Sequence, residues 1–342
     1  MLRWIFGGLL TLIGLVAVVV VGGYFFLKRD DIPYETLAAR YESAASRYTE
    51  LPGGIRMHYR DEGAPDAPVL LLIHGFSASL HTWEPWVERL ATGEQRINDY
   101  RVISIDLPGH GLTSAPAGYR AAIENFRDAV EAFTRAQGLD RFFLAGSSMG
   151  GNVAWEYALA HPEQVEGLIL VDASGWPETR ANLSEDPPVF RLLRSPAAPL
   201  LRDLDNTNLV RQGLQNSFVD QSFVTDAMVT RYSELSRAPG HRDILLQITL
   251  GFRDRNYATA ERLQALTMPV LVMTGDQDRI VPPDHARQFA EAIPTARSVT
   301  FQNVGHIPQE EVADQSAMAV HEFMYQVMEP PTMCAATAGA RC

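Results

Sequence analysis

Ser148 has the neighbours that give a hydroxyl chemistry. It lies in Gly146-Ser147-Ser148-Met149-Gly150-Gly151, between a short apolar run (Arg141 to Ala145) and an amphipathic run that stops at Pro162. That order predicts a strand, a sharp turn and a helix. So tight a turn brings backbone against backbone two residues either side of its apex, where glycine fits, and Gly146 and Gly150 hold those places. The Ser148 hydroxyl would then stand at the end of a sheet. The Met149 amide and a helix N-terminus beside it would stabilise negative charge. This is the setting of a serine nucleophile, with Ser147 as the alternative attacking group.

A serine hydroxyl attacks well only when a base takes its proton, and the base works best when a carboxylate fixes its tautomer. Met268 to Thr274 reads as a buried strand that runs into Gly275-Asp276-Gln277-Asp278-Arg279-Ile280-Val281-Pro282, making Asp278 the candidate acid. Ser298 to Asn303 reads as a further strand, and Val304-Gly305-His306-Ile307-Pro308 follows it, making His306 the candidate base. Two other acids stay open. Asp276 suits a turn, and Asp172 ends the apolar run Gly167 to Val171. A second oxyanion donor is expected from His74-Gly75-Phe76-Ser77, which follows the apolar strand Pro68 to Ile73. Gly75 lets that loop pass close to the reacting carbon, placing the Phe76 amide opposite that of Met149. His74 and His110 read as structural. His58, His81, His161, His241, His285 and His321 have no motif context and read as ordinary core or surface residues.

Taken together, these motifs resemble the α/β-hydrolase fold, in its serine esterase and lipase branch. The resemblance runs from about Arg47 to Met328 and includes Asp106-Leu107-Pro108-Gly109-His110-Gly111-Leu112-Thr113-Ser114 beside the motifs above. The chain order serine, acid, histidine is the one found in that fold. The Ser-Met-Gly-Gly elbow and the Gly-His-Ile-Pro-Gln-Glu ending are similar to membrane-anchored monoacylglycerol lipases and related carboxylesterases. Relatives that open carbon-chlorine bonds or epoxides carry aspartate at the elbow. Ser148 therefore speaks against those two reactions.

The elements that must position these residues are legible in outline. Arg47 to Leu51 and Ile55 to Arg60, separated by Pro52-Gly53-Gly54, predict an opening hairpin. Strands and helices then alternate through Arg101 to Asp106, Ala122 to Ala136, Arg141 to Ala145, Gly150 to Ala160 and Gly167 to Val171, which predicts a mostly parallel sheet with helices on both faces. Catalytic loops belong at the carboxyl ends of such strands. The alternation stops between Trp176 and Leu266, a span too long for a plain connection. With Pro187-Pro188, Pro196 and Pro199, and helical runs from Asp220 to Leu235 and from Arg242 to Phe252, it is expected to form a helical cap that shapes the acyl pocket. The alternative is an extra structural layer away from the chemistry. The expected division is an N-terminal anchor (1–31), an α/β core (32–175 and 267–328), the cap (176–266) and a C-terminal tail (329–342).

Trp4 to Leu27 carries no charge. As a helix it would be about 36 Å long, against a hydrocarbon core of about 30 Å, so a single-pass membrane anchor is expected. A cleaved signal peptide fits less well, since its apolar region is about 7 to 15 residues and ends in a small-residue site. The side of the membrane stays open: Lys28, Arg29, Arg40 and Arg47 argue for a cytoplasmic domain, yet long domains cross largely regardless of charge. The 342 residues carry 29 basic and 41 acidic side chains, a formal net charge of -12. No basic stripe offers itself to nucleic acid. Cys334 and Cys342 lie in the tail, so a thiol nucleophile in the core is excluded, and no Cys or His set has metal-ligand spacing. The expected reaction needs neither metal nor organic cofactor. It is hydrolysis of a lipophilic ester, such as a monoacylglycerol or a medium-chain alkyl ester. Two readings compete: a carbon-carbon bond hydrolase acting on ring-cleavage products with the same three residues, and a silent member of the fold that only binds. Ile307, where the ring-cleavage group commonly has an aromatic residue, and the unbroken residue set weigh against them.

Overall fold

The computed structural model describes residues 14–15, 18–19, 21–177, 195, 198–251 and 256–329. Its framework is an eight-stranded sheet, β1 (Ser46–Leu51), β2 (Ile55–Gly63), β3 (Val69–Ile73), β4 (Arg101–Ile105), β5 (Phe142–Ser147), β6 (Val165–Val171), β7 (Val270–Gly275) and β8 (Ala296–Phe301), in the order β1-β2-β4-β3-β5-β6-β7-β8. β1 and β2 form the expected antiparallel hairpin, with Leu51 opposite Ile55, and β2 pairs antiparallel with β4. From β4 onward every pairing is parallel.

The central strands are largely apolar because both sheet faces are covered. Leu71, Ile73, Phe142, Leu144, Leu168, Leu170, Val270 and Val272 point to one face. There they meet α2 (Ile123–Ala136) and α3 (Met149–Ala160), which follow α1 (Tyr34–Tyr41) in the chain. The alternate residues Leu70, Leu72, Phe143, Ala145, Ile169, Val171, Leu271 and Met273 point the other way, onto Trp83, Trp86, Val320 and Phe323. Each fully buried side chain of this size contributes about 1.5–3 kcal/mol, so the two half-cores hold the sheet rigid under the loops at its edge. Trp83 and Trp86 belong to a run of short 3₁₀, α and π turns over 80–92 that the sequence reading did not predict.

Between β6 and β7 the described residues include four helices of five or more residues, α4 (Ala198–Arg202), α5 (Thr207–Ser217), α6 (Asp226–Leu235) and α7 (His241–Gly251), and a short helical turn over Ala260–Leu263. The run expected as one helix from Asp220 to Leu235 is broken. Gln221–Phe223 form a 3₁₀ turn, and Thr225 starts α6 afresh by accepting the Met228 N–H at 3.1 Å. Such a cap satisfies one of the free amides of a new helix, which is why the run divides at a threonine. Pro187-Pro188, Pro196 and Phe252 lie outside the described residues. After β7 come α8 (Pro283–Ala292) and α9 (Ala313–Met328).

Much of the stretch Trp4 to Leu27 also lies outside the described residues. Its described parts are helical, and Leu15, Val18, Val19, Phe25 and Phe26 are exposed. Among the described residues no helix is long and apolar enough to cross a membrane. Past Leu27 the chain is strapped to the helical segment: Lys28 bridges Leu204, Arg29 N–H donates to the Asp203 carbonyl at 2.8 Å, and Ile32 N–H donates to that of Arg237 at 2.8 Å. Cys334 and Cys342 are outside the described residues.

Candidate active site

Ser148 stands between β5 and α3 with φ 55° and ψ −119°, a conformation disfavoured for any residue with a Cβ. The surroundings enforce it. Ser148 N–H donates to the Val171 carbonyl at 2.9 Å, and its own carbonyl accepts from Ser174 N–H at 3.0 Å and Asn152 N–H at 3.2 Å. A methyl group on Gly146 would overlap the Gly150 carbonyl, and one on Gly150 would overlap the carbonyls of Ile73 and His74. Both glycines are therefore needed for close approach, as their spacing predicts.

The β3 loop comes in from the next strand. A Cβ built on Gly75 would lie 3.1 Å from the Ser148 Cβ and 3.7 Å from its Oγ, so this loop lies against the serine. His74 holds it. Its Nδ1–H donates to the Gly75 carbonyl at 2.7 Å, while Nε2 accepts from Leu107 N–H at 3.0 Å, which fixes the neutral tautomer. Burial pushes its pKa down, in keeping with that form. Phe76, next along, is partly exposed.

His306 and Asp278 meet although 28 residues separate them. Nδ1 of His306 lies 2.7 Å from Oδ2 of Asp278, both side chains being buried. Asp278 is itself fixed, because Oδ1 accepts from Ile280 N–H at 2.7 Å and Val281 N–H at 3.0 Å. The His306 loop is clamped from two sides. His306 N–H donates to the Ser217 carbonyl at the end of α5 at 2.7 Å. Glu311 accepts Gly305 N–H at 2.7 Å with one oxygen, and Val219 and Asp220 N–H at 2.8 and 2.7 Å with the other. Ile307 packs with Leu214, Phe218, Met228 and Val229 of the helical segment.

The alternatives are placed differently. The Asp276 carboxylate accepts Val304 N–H at 3.3 Å. Ser147 is buried and its Oγ accepts from the Gln309 amide at 3.3 Å. Asp172, at the end of β6, accepts from Thr274 Oγ1 at 2.7 Å and Gly275 N–H at 3.2 Å. It lies close to the Asp278 and His306 side chains, within 4.8 Å of both.

Several supporting residues escaped the sequence reading. Asp106, read only as part of a motif, is fully buried and accepts Leu80 N–H at 2.8 Å, Leu112 N–H at 2.9 Å and His58 Nδ1 at 2.7 Å. Although burial opposes its charge, these donors hold its carboxyl well below the usual range. His58, which no motif marked, bonds through Nε2 to Ser46 at 2.9 Å. Gln309 and Glu310 join the His306 loop to Thr82, whose hydroxyl donates to Glu310 at 2.6 Å. Burial pushes the Glu310 carboxyl up to about 7. A buried aspartate ending a strand before a glycine-rich loop was the one available signal for Asp106; nothing local marked the others.

The α/β hydrolase fold family matches residues 68–313. Among curated proteins, a 2-hydroxy-6-oxo-6-phenylhexa-2,4-dienoate hydrolase of Burkholderia cepacia is 28% identical over 289 residues, 83% of this chain and 97% of the relative. Lipase 1 of Psychrobacter immobilis is 27% identical over 279 residues, 78% of this chain and 80% of the relative. Among solved structures, a membrane phospholipase A described as a bacterial virulence factor superposes with a TM-score of 0.70 at 28% identity, covering 96% of this chain and 100% of the other.

Proposed function

The chain belongs to the α/β-hydrolase fold family, and within it we propose a serine hydrolase that cleaves lipophilic carboxylic esters through an acyl-enzyme on Ser148. His306, oriented by Asp278, takes the proton of the Ser148 hydroxyl as Oγ attacks the ester carbonyl. The Phe76 and Met149 amides hold the oxyanion. The tetrahedral intermediate expels the alcohol, which leaves with the proton from His306. Water, deprotonated by the same histidine, then releases the acid and restores the serine. One oxyanion donor contributes roughly 3 kcal/mol in other enzymes.

The observation that carries this reading is the 2.7 Å contact between His306 and Asp278, together with the elbow conformation of Ser148 at the edge of the same sheet. The ester preference draws on the phospholipase A likeness over 96% of the chain. The uncharged stretch Trp4 to Leu27 is proposed as a membrane anchor, and the helical segment between β6 and β7 as the cap over the acyl site. Carbon-carbon hydrolysis is the second reading, supported by the Burkholderia cepacia relative; it would use the same three residues.

The test is turnover of p-nitrophenyl esters from acetate to palmitate, of phospholipid and of a ring-cleavage dienoate, by full-length protein in detergent. Ester turnover that vanishes in Ser148→Ala is expected. Turnover of the dienoate alone would move the second reading forward, and absence of fluorophosphonate labelling at Ser148 would remove both. Shortened protein should keep Lys28 to Ile32, because those residues are strapped to the helical segment.

A further inference from the structure

A second serine, Ser46 at the start of β1, stands on a histidine that stands on an aspartate. Its Oγ lies 2.9 Å from Nε2 of His58, and Nδ1 of His58 lies 2.7 Å from Oδ2 of Asp106. The protons along this line are fixed. Asp106 also accepts Leu80 N–H at 2.8 Å and Leu112 N–H at 2.9 Å, so it is ionised and the Nδ1 proton of His58 points at it. Nε2 is left with its lone pair, and the Ser46 hydroxyl donates to it. Ser43 N–H donates to the Ser46 oxygen at 3.0 Å and holds it in place. The His58 main chain is tied as well, its N–H donating to Thr113 Oγ1 at 2.8 Å. His58 and Asp106 are fully buried, whereas Ser46 is partly exposed. A buried carboxylate, a buried neutral imidazole and a hydroxyl at the surface, in that order, are the arrangement that turns a serine into a nucleophile. Four strand steps separate β1 from β5 in the sheet, roughly 19 Å at about 4.8 Å per step, so Ser46 is no part of the Ser148 site.

We propose that Ser46 is a second acceptor site, which takes one acyl or phosphonyl group from an activated donor and keeps it. With an aryl ester, Oγ bonds to the carbonyl carbon as its proton passes to His58 Nε2, and the aryl oxide leaves with the electron pair of the broken carbon-oxygen bond. With a fluorophosphonate, Oγ bonds to phosphorus and fluoride leaves. A good leaving group is required, because His58 has no exposed surface from which to protonate a departing alkoxide. His58 keeps the proton it receives, its charge balanced by Asp106. It therefore activates no water against the new ester, and the group stays on Ser46. The proposal is independent of the roles given above to Ser148, Asp278 and His306.

The experiment uses the full chain carrying Ser148→Ala, in detergent, treated with p-nitrophenyl acetate or with a fluorophosphonate and then mapped by peptide mass spectrometry. The expected result is a single burst of p-nitrophenolate without turnover, and an acetyl or phosphonyl group on Ser46. Ser46 should react about 10²-fold or more faster than any other serine of the chain, the lower end of what a positioned base supplies. Adding Ser46→Ala should abolish the burst, and adding His58→Gln should slow it by about the same 10²-fold. If His58→Gln does not fold, the Ser148→Ala protein unfolded in urea takes its place: Ser46 should then react no faster than the other serines. A folded Ser148→Ala protein that leaves Ser46 unmodified would overturn the proposal. So would a Ser46 that reacts equally fast folded and unfolded, since no base would then be assisting it. Steady ester turnover by the unsubstituted protein, and its loss in Ser148→Ala, bear on the Ser148 site alone.

Discussion

Ser148 has a backbone conformation that β5 and α3 could not adopt with any larger residue at positions 146 and 150. A methyl on either glycine would meet backbone, and one on Gly150 would meet two carbonyls, of β3 and of the loop that follows it. Gly150→Ala should therefore cost about 3 kcal/mol of stability, at the upper end for overpacking, and slow fluorophosphonate labelling of Ser148 at least tenfold. Urea denaturation and labelling kinetics read the two effects separately. Unchanged labelling in a destabilised variant would show that the elbow tolerates displacement. Gly146 and Gly150 were legible in the sequence because a tight turn leaves its mark in residue type. Gln309 was not, because its partners Thr82 and Ser147 lie 227 and 162 residues away.

At the scale of elements, the helical segment holds the His306 loop. The C-terminal end of α5 receives His306 N–H, and Glu311 ties the chain after α5 to the His306 loop through three backbone amides. Hydrogen bonds to a charged group contribute about 1.5–3 kcal/mol each at most, so Glu311→Ala should destabilise by a few kcal/mol. It should also lower kcat more than it raises KM, because the histidine and not the acyl pocket loses its support. A change confined to KM would argue that Glu311 only shapes the pocket. Thr225→Ala removes the α6 cap and should cost about 1 kcal/mol, read from urea midpoints, with kcat on acetate esters preserved. The sheet strands were readable because double-sided burial makes them continuous apolar runs. The division of the Asp220 to Leu235 run was not, since a capping threonine inside a helical pattern has the same composition as a helix.

For the whole molecule, buried titratable groups set opposing pH responses. Burial lowers His81 and His241 to about 4, below their ordinary value of 6.5. The unfolded chain therefore binds those protons first, and stability falls as pH drops from about 6.5 to about 4. Glu310 has the reverse sign: burial raises it to about 7, so the folded state holds its proton longer, and stability falls as pH rises from about 4.5 to about 7. Glu310→Gln should match the parent at pH 4.5 and exceed it progressively up to pH 8, as read from urea midpoints. A constant difference across that range would show that Glu310 ionises as freely folded as unfolded.

The sequence by itself determined the sheet, the elbow, and the chain order of Ser148, Asp278 and His306 at strand ends. Those features rest on local constraints: apolar runs for strands buried on both faces, glycines where backbones touch, and loops at strand ends. Tertiary structure alone decided which carboxylate meets the histidine. Asp276, Asp278 and Asp172 are equivalent as residue types at strand ends, and only the folded chain joins Asp278 to His306, turns Asp276 toward the Val304 amide and leaves Asp172 with an oxygen that no donor reaches. Contacts made across 28 to more than 200 residues leave no periodicity in the chain. They arise when packed layers bring loops of different strands to one edge.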